Sequence, residues 1–282
     1  MIGATAAASF AGDAVAQSAS AQPSKTSTAK SNGRLVQMDA QVQAIEIDTA
    51  KTAVIVVDMQ NDFASKGGML DRAGIPITMI QQVVTPTARV LTAARRADIP
   101  VIYLKMAFRP DLSDMGIPDS PNWRAHHKIL VGTTLRDLNV GKTIRAPNGA
   151  ESRILVRDTW NTDILDELKP ESSDVIIYKN RYSGFYQTEL DKTLSVLGVR
   201  YLIVTGCTTS VCVESTIRDA MFRDYSPVLL EDCTAEPLGY GLSRSNYEAS
   251  LLLIRGMGWV TNSEAFIRAV QTVSSGPKSE KG

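Results

Sequence analysis

Apolar β-branched residues recur along this chain in short unbroken runs, not in alternation with polar ones. Thr52–Val57 reads Thr-Ala-Val-Ile-Val-Val. A strand with one wet face would alternate, so the run predicts a strand covered on both faces, as in a parallel sheet. Pro100–Leu104, Asp174–Tyr178, Tyr201–Thr205, Pro227–Leu230 and Gly258–Thr261 carry the same signature. Segments with apolar residues at helical spacing lie between them. Thr85 before Pro86 reads as an N-cap and the residue favoured at the first helical position, opening a helix through Ala97. Thr188–Leu197, Val211–Arg223, Ser243–Arg255 and Ser263–Val270 are further helical segments. This alternation of strand and helix predicts an α/β fold: a three-layer, doubly wound sandwich on a mainly parallel six-stranded sheet, with right-handed crossovers.

Phe108–Arg157 breaks the rhythm. It is rich in Pro, Gly, Asp and Asn with weak periodicity, and it reads as an excursion over the sheet edge that covers an active site or forms an assembly surface. Residues 1–35 are a different material again. Met1–Lys30 is rich in Ala, Ser and Thr, and Ala14-Val15-Ala16 before Gln17 is like the small-residue cleavage site of an export signal, without the basic stretch that opens one. Two readings stay open: the remnant of an export signal, which implies a periplasmic protein, or a disordered low-complexity tail, which fits the cytoplasm. In both, the folded domain spans 45–275.

Composition narrows the partners. Of 282 residues, 44% are hydrophobic and 21% charged, the make-up of a globular domain with an adequate core. Thirty Lys plus Arg balance thirty Asp plus Glu, so no net field draws the chain to nucleic acid or an anionic membrane. No stretch approaches the ~20 apolar residues of a membrane helix. A small molecule is the expected partner. Three cysteines are an odd number and do not suggest a disulfide framework, which leaves a thiol available for chemistry. The two histidines, His126 and His127, are adjacent and read as loop or interface residues. They leave little imidazole for a metal or a catalytic relay, so a base must be of another type.

In an open α/β sheet, ligands bind beyond the carboxyl ends of the strands. Three predicted strand ends carry reactive residue types: Asp58, Lys179, and the Gly206–Cys212 segment that runs into a helix. Cys212 falls in the first turn of that helix, where unsatisfied N–H groups favour negative charge and are expected to lower a thiol pKa. The N–H groups of Cys212 and of the turn near Thr208 are candidates for an oxyanion hole. If Asp58 and Lys179 meet beside Cys212, the lysine stabilises both anions and the aspartate takes and returns the thiol proton. Each residue also has a structural reading: a small buried cysteine, an Asx turn, a solvated lysine. Their coincidence at strand ends favours chemistry. Gly239-Tyr240-Gly241 lacks a third glycine and reads as a loop; Cys207 reads as a turn residue and Cys233 as a buried one.

The chain resembles the isochorismatase-like cysteine hydrolases in three ordered segments: Val56 to Phe63 (Val-Val-Asp-Met-Gln-Asn-Asp-Phe), Lys179 to Phe185 (Lys-Asn-Arg-Tyr-Ser-Gly-Phe), and Gly206 to Asp219. The resemblance implies Asp58, Lys179 and Cys212 as the catalytic three, Thr208 and Cys212 in an oxyanion hole, a cis peptide between Cys207 and Thr208, and a homo-oligomer, dimer or tetramer. True isochorismatases lack the cysteine, so Cys212 points to the amide-cleaving branch. Nicotinamidases hold a metal with an Asp and paired histidines after the second strand; Lys105–Asp111 offers no such set, so no metal and no cofactor are expected. The resemblance is strongest to ureidoacrylate amidohydrolases, also through Asp119-Ser-Pro-Asn-Trp123, and implies release of carbamate from a ureide or carbamoyl group. Met106 and Phe108 stand where those enzymes carry Asn and Trp, and Thr133–Arg153 is longer. Phe108, Asn122, Trp160, Tyr182, Ser183 and Phe185 are the candidate substrate-pocket residues. Two rivals remain: a hydrolase of a larger xenobiotic amide or carbamate, suited to apolar Met106 and Phe108, and a non-catalytic oligomeric protein in which Cys207 and Cys212 pair on oxidation.

Overall fold

Each of the six unbroken apolar runs becomes a strand of one parallel sheet. The computed structural model describes residues 34–127, 139–239 and 241–274, all within one unit, Ser31–Gly282. A hairpin of β1 (Leu35–Met38) and β2 (Ile45–Asp48) leads into β3 (Thr52–Val57). Short helices α1 (Asn61–Ala64), α2 (Met69–Arg72) and α3 (Thr78–Gln82) precede the long α4 (Val84–Arg96) and β4 (Val101–Met106). The excursion holds α5 (Pro121–His127) and a hairpin of β5 (Thr143–Arg145) and β6 (Glu151–Arg153). Then follow β7 (Val175–Lys179), α6 (Leu190–Leu197), β8 (Tyr201–Cys207), a π-helical turn Thr209–Val213, α7 (Glu214–Met221), β9 (Ser226–Ala235), α8 (Asn246–Ile254), β10 (Trp259–Thr261) and α9 (Ser263–Ser274).

The sheet order is β10-β9-β8-β3-β4-β7, every neighbour parallel. Period two assigns side chains to the layers. Val54, Val56, Val101 and Tyr103 face the core shared with α4 and α9, whereas Ala53, Ile55, Val57, Ile102 and Leu104 face the core that includes residues of α6, α7 and α8. The chain begins the sheet at β3 and builds first toward β7, then returns to add β8 on the other side. The order therefore reverses between β3 and β8, and that switch point opens a crevice beyond their carboxyl ends.

Several expectations are corrected. Thr85 is not the N-cap. Helix α4 starts at Val84, directly after α3, with Val83 in the cap position, so Pro86 sits in the first turn, where its missing N–H is not needed. The helix expected over Val211–Arg223 opens with the π turn instead. The fold also begins before residue 45: Gln41 exchanges backbone hydrogen bonds of 2.8 and 3.0 Å with Val260, covering the outer edge of β10. Within the excursion, Phe108 N donates to Leu155 O and Arg157 N to Phe108 O, bringing the two ends together. The tail over 1–33, residues 128–138 of the excursion, the His127 side chain and Tyr240 lie outside what is described.

Candidate active site

Asp58 follows the last residue of β3 with φ +51°, a left-handed conformation that Asp tolerates better than most residues. Its N–H donates to Leu104 O at 2.9 Å, so the turn is anchored on β4. Lys179 closes β7, two strands away. The intervening strand β4 ends at Met106, whose N–H donates to Asp58 Oδ1 at 2.9 Å and to Gln60 Oε1 at 2.7 Å. Over this bridge, Lys179 Nζ donates to Asp58 Oδ2 at 2.8 Å. It also reaches the Arg181 carbonyl at 3.3 Å and the Met106 sulfur at 3.6 Å.

Cys212 comes from the other side of the switch point. Strand β8 approaches β3 so closely that a Cβ on Gly206, at φ +112°, would sit 2.0 Å from the Val57 carbonyl oxygen; only glycine fits. The Cys207–Thr208 peptide is cis, in agreement with the resemblance. Val211 N and Val213 N both donate to Thr208 O, winding the π turn that carries Cys212. Its thiol, buried, lies beside both Asp58 and Lys179 and interacts with each. The sequence-predicted trio is thus brought together.

The electrostatics assign a resting protonation state. Burial opposes a charged Lys179, but the neighbouring Asp58, foremost among the opposing causes, outweighs it and holds the ammonium protonated. Burial lifts the Asp58 carboxyl above its ordinary range, while Lys179, Cys212 and the Met106 N–H pull it back. Burial, then the Asp58 charge, push the Cys212 thiol well up, against the pull of Lys179. This corrects the expected lowering by the helix N-terminus: desolvation and a neighbouring carboxylate outweigh a partial dipole. An ammonium on Lys179 and a neutral thiol on Cys212 follow.

The pocket candidates divide. Phe108 is fully buried, edge-on to His126 at 5.2 Å between ring centroids. Tyr182 also packs against His126, 5.4 Å between ring centroids, and is partly exposed; burial first, then the nearness of Cys212, raises its hydroxyl pKa. Asn122 donates its Nδ2 to Met115 O at 2.8 Å. Ser183 donates to the Asp219 carboxylate, and Phe185 stacks on Tyr225 at 5.8 Å with Arg223 over its ring, so both are committed to helix packing. Trp160 is half-buried, and its carbonyl accepts from Asn61 Nδ2.

Three residues emerge that the sequence did not single out, and a fourth, His126, takes a place other than the loop expected for it. Gln60 brackets Met106, with Nε2 donating to its carbonyl at 3.1 Å. Asp62, fully buried, accepts from Met69 N at 3.0 Å, Leu155 N at 2.7 Å and Asn161 Nδ2; it ties the excursion to the segment after β3, and burial raises its pKa to about 7. Glu236, just beyond β9, accepts from Ser210 N at 2.5 Å and Leu238 N at 2.9 Å, fixing the turn that carries Cys212. His126, expected in a loop or at an interface, is not in a loop. It lies on α5, buried, with Nδ1 2.8 Å from Asn122 O; a carbonyl only accepts, which assigns the proton to Nδ1. No local signal in an irregular segment marks it.

Cys207, Cys212 and Cys233 are free, and Cys207 donates to the Asp58 carbonyl. Among the described residues no group of three or more His, Cys, Asp or Glu is disposed to hold a metal, and no helix is long and apolar enough to cross a membrane. A cavity of about 810 Å³ is bordered by residues of α4 and α9 among others; a smaller one of about 430 Å³ adjoins Tyr182.

Residues 52–265 match the isochorismatase domain. Ureidoacrylate amidohydrolase RutB of Methylobacterium radiotolerans is 40% identical over 243 residues, 86% of this chain and 88% of that protein. The protein of the same name from Yersinia enterocolitica is 37% identical, over 83% of this chain and 95% of its own length. Among solved structures, a cysteine hydrolase from Pseudomonas syringae superposes with a TM-score of 0.63 at 31% identity, covering 85% of this chain and 98% of that one. Motifs, sheet topology and these matches agree: the chain belongs to the isochorismatase-like family of hydrolases.

Proposed function

We propose that this protein is a cysteine-dependent amidohydrolase that cleaves a C–N bond of a small ureide or carbamoyl compound. The carrying observation is the buried contact of Lys179 Nζ with Asp58 Oδ2, 2.8 Å long, beside the Cys212 thiol. A buried ion pair with no role is a costly arrangement; next to a thiol it is a proton acceptor with its counter-ion. The relatives named ureidoacrylate amidohydrolase support the substrate class.

In the proposed reaction, Asp58 accepts the Cys212 proton as sulfur attacks the ureide carbonyl carbon. Lys179 stays protonated throughout and offsets the negative charge as it moves from carboxylate to sulfur. The oxyanion is held by the N–H groups of Thr208 and Cys212, worth roughly 3–4 kcal/mol per donor in comparable sites. Asp58 returns its proton to the leaving nitrogen, the C–N bond breaks, and a carbamoyl thioester remains on Cys212. Water, deprotonated by Asp58, attacks the thioester; the thiol recovers its proton, and carbamate departs, decomposing to ammonia and carbon dioxide. Phe108, Asn122 and Tyr182 border the substrate, with Met106 beneath it.

The test is ammonia release from a panel of ureides, carbamates and simple amides by the wild type and by Cys212→Ala. Turnover of a ureide by the wild type alone supports the proposal. A variant as active as wild type removes it, and turnover restricted to bulky amides or carbamates transfers the reading to that class.

A further inference from the structure

Helix α8 is apolar on every side, yet one side of it is open. Asn246–Ile254 reads Asn-Tyr-Glu-Ala-Ser-Leu-Leu-Leu-Ile, and four successive aliphatic residues spread around the whole helix, so no single face can bury them all. Leu251 and Ile254 enter the core. Leu252 and Leu253 are 67% and 51% exposed. A surface helix ordinarily turns charged and polar residues outward, and one that is apolar all round is ordinarily covered all round.

Two charged residues flank Leu252 on the open side. Glu248 precedes it by one turn, and Arg255, the C-cap with helical backbone angles, follows it by almost one, so the three share a stripe. Glu248 is exposed. Neither it nor Arg255 forms an ion pair with any described residue. Arg255 Nε is moreover shielded from solvent with no hydrogen-bond partner, a state that costs free energy until an acceptor is supplied.

The order Glu248, Leu252, Arg255 is complementary to itself when reversed. In two copies of α8 packed antiparallel about a twofold axis near Leu252, that leucine meets its own equivalent, and Glu248 of each copy lies opposite Arg255 of the other. A parallel pairing would set like charges together. Ala249, exposed beside Leu252, is small enough to let the two helices approach. We propose that α8 is a dimerisation surface on which a second copy of this chain docks antiparallel, with Leu252 at its centre and two Glu248–Arg255 pairs at its ends. One helix pair lies at the small end of specific interfaces, so an affinity in the micromolar range is expected. This assigns the contact to one helix, which the family resemblance does not, and it is independent of the reaction proposed above.

Sedimentation velocity on the full chain, over roughly 1–100 μM protein, tests the pairing. Wild type is expected to dimerise. Glu248→Arg or Arg255→Glu alone sets like charges opposite each other at both ends, and is expected to raise the dissociation constant at least ~100-fold. Combining the two exchanges the signs and restores both pairs, so the double variant should dimerise within ~10-fold of wild type; that recovery separates a lost interface from a damaged fold. If wild type assembles beyond a dimer, each single change should halve its mass and the combination should restore it. Single variants that associate like wild type, or a double variant as dissociated as the singles, overturn the proposal. A wild type that stays monomeric throughout also overturns it, and leaves the face to another segment of this chain or to a different protein.

Discussion

Lys179 and Asp58 make a 2.8 Å ion pair in which both side chains are completely withdrawn from solvent. Removing one partner leaves the other charged and unsatisfied, whereas removing both replaces a desolvated pair with neutral contacts. Lys179→Met and Asp58→Asn are therefore each expected to lower stability by about 3–5 kcal/mol. The double variant should recover most of that loss in denaturant unfolding, yet remain inactive. A double variant that is no more stable than the singles would show that the pair is not the coupled unit described here.

Glu236 acts through the chain that carries Cys212. Glu236→Ala frees Ser210 N and loosens the turn, and the expected outcome is a fall in kcat of about tenfold or more, in line with the sensitivity of catalysis to small misplacements, with KM little changed. Glu236→Gln, which keeps one acceptor, should retain intermediate activity. A change in KM alone would assign Glu236 to binding instead.

His126 makes stability depend on pH. Burial pushes its pKa down to about 4, with the Arg181 and Lys179 charges adding to the effect and the Asn122 carbonyl opposing it. The folded value lies below the ordinary 6.5, so the unfolded chain binds the proton more readily. The contribution is complete above pH 6.5 and is lost as pH falls from 6.5 toward about 4. Asp62, raised to about 7, acts oppositely: its contribution is present below about 3.8 and lost as pH rises through 7. The two offset one another in wild type, so the test is differential. The stability of wild type relative to His126→Phe should decline by roughly 3 kcal/mol between pH 6.5 and 4 and stay level from 6.5 to 8.

How much of this could be read from the chain follows from where the physics is local. The six sheet strands were legible because burial on both faces leaves continuous apolar runs such as Thr52–Val57. β1 and β2 were not: four residues each, they have too short a pattern to separate from loop. Thr85-Pro86 carries a start signal, but α4 follows directly on α3 and begins two residues earlier, with Val83 in the cap position. Asp58, Lys179 and Cys212 were legible because polar residues at the ends of apolar strands converge in any parallel sheet. The sign of the Cys212 shift was not, since it depends on a carboxylate 154 positions away in sequence and on complete desolvation. His126 and Glu236 gain their roles only from packing, one between Phe108 and Tyr182, the other against Ser210.

Asp62 holds the excursion over the site through Leu155 N and Asn161. Asp62→Ala leaves two buried backbone N–H groups, those of Met69 and Leu155, and the Asn161 amide without this acceptor, which costs about 1–3 kcal/mol for each unsatisfied group. The loss should be local. Hydrogen exchange of Leu155 and its neighbours in β6 is expected to accelerate more than that of β3 and β8, whereas uniform acceleration would mean global destabilisation.

The most direct test of the central claim is the intact mass of the protein quenched during turnover of a ureide, followed by peptide mapping. A fraction of molecules is expected to be heavier by one carbamoyl group, carried on the peptide containing Cys212 and absent from Cys212→Ala. Steady turnover with no adduct on that peptide under rapid quench, or an adduct on another residue, would contradict it.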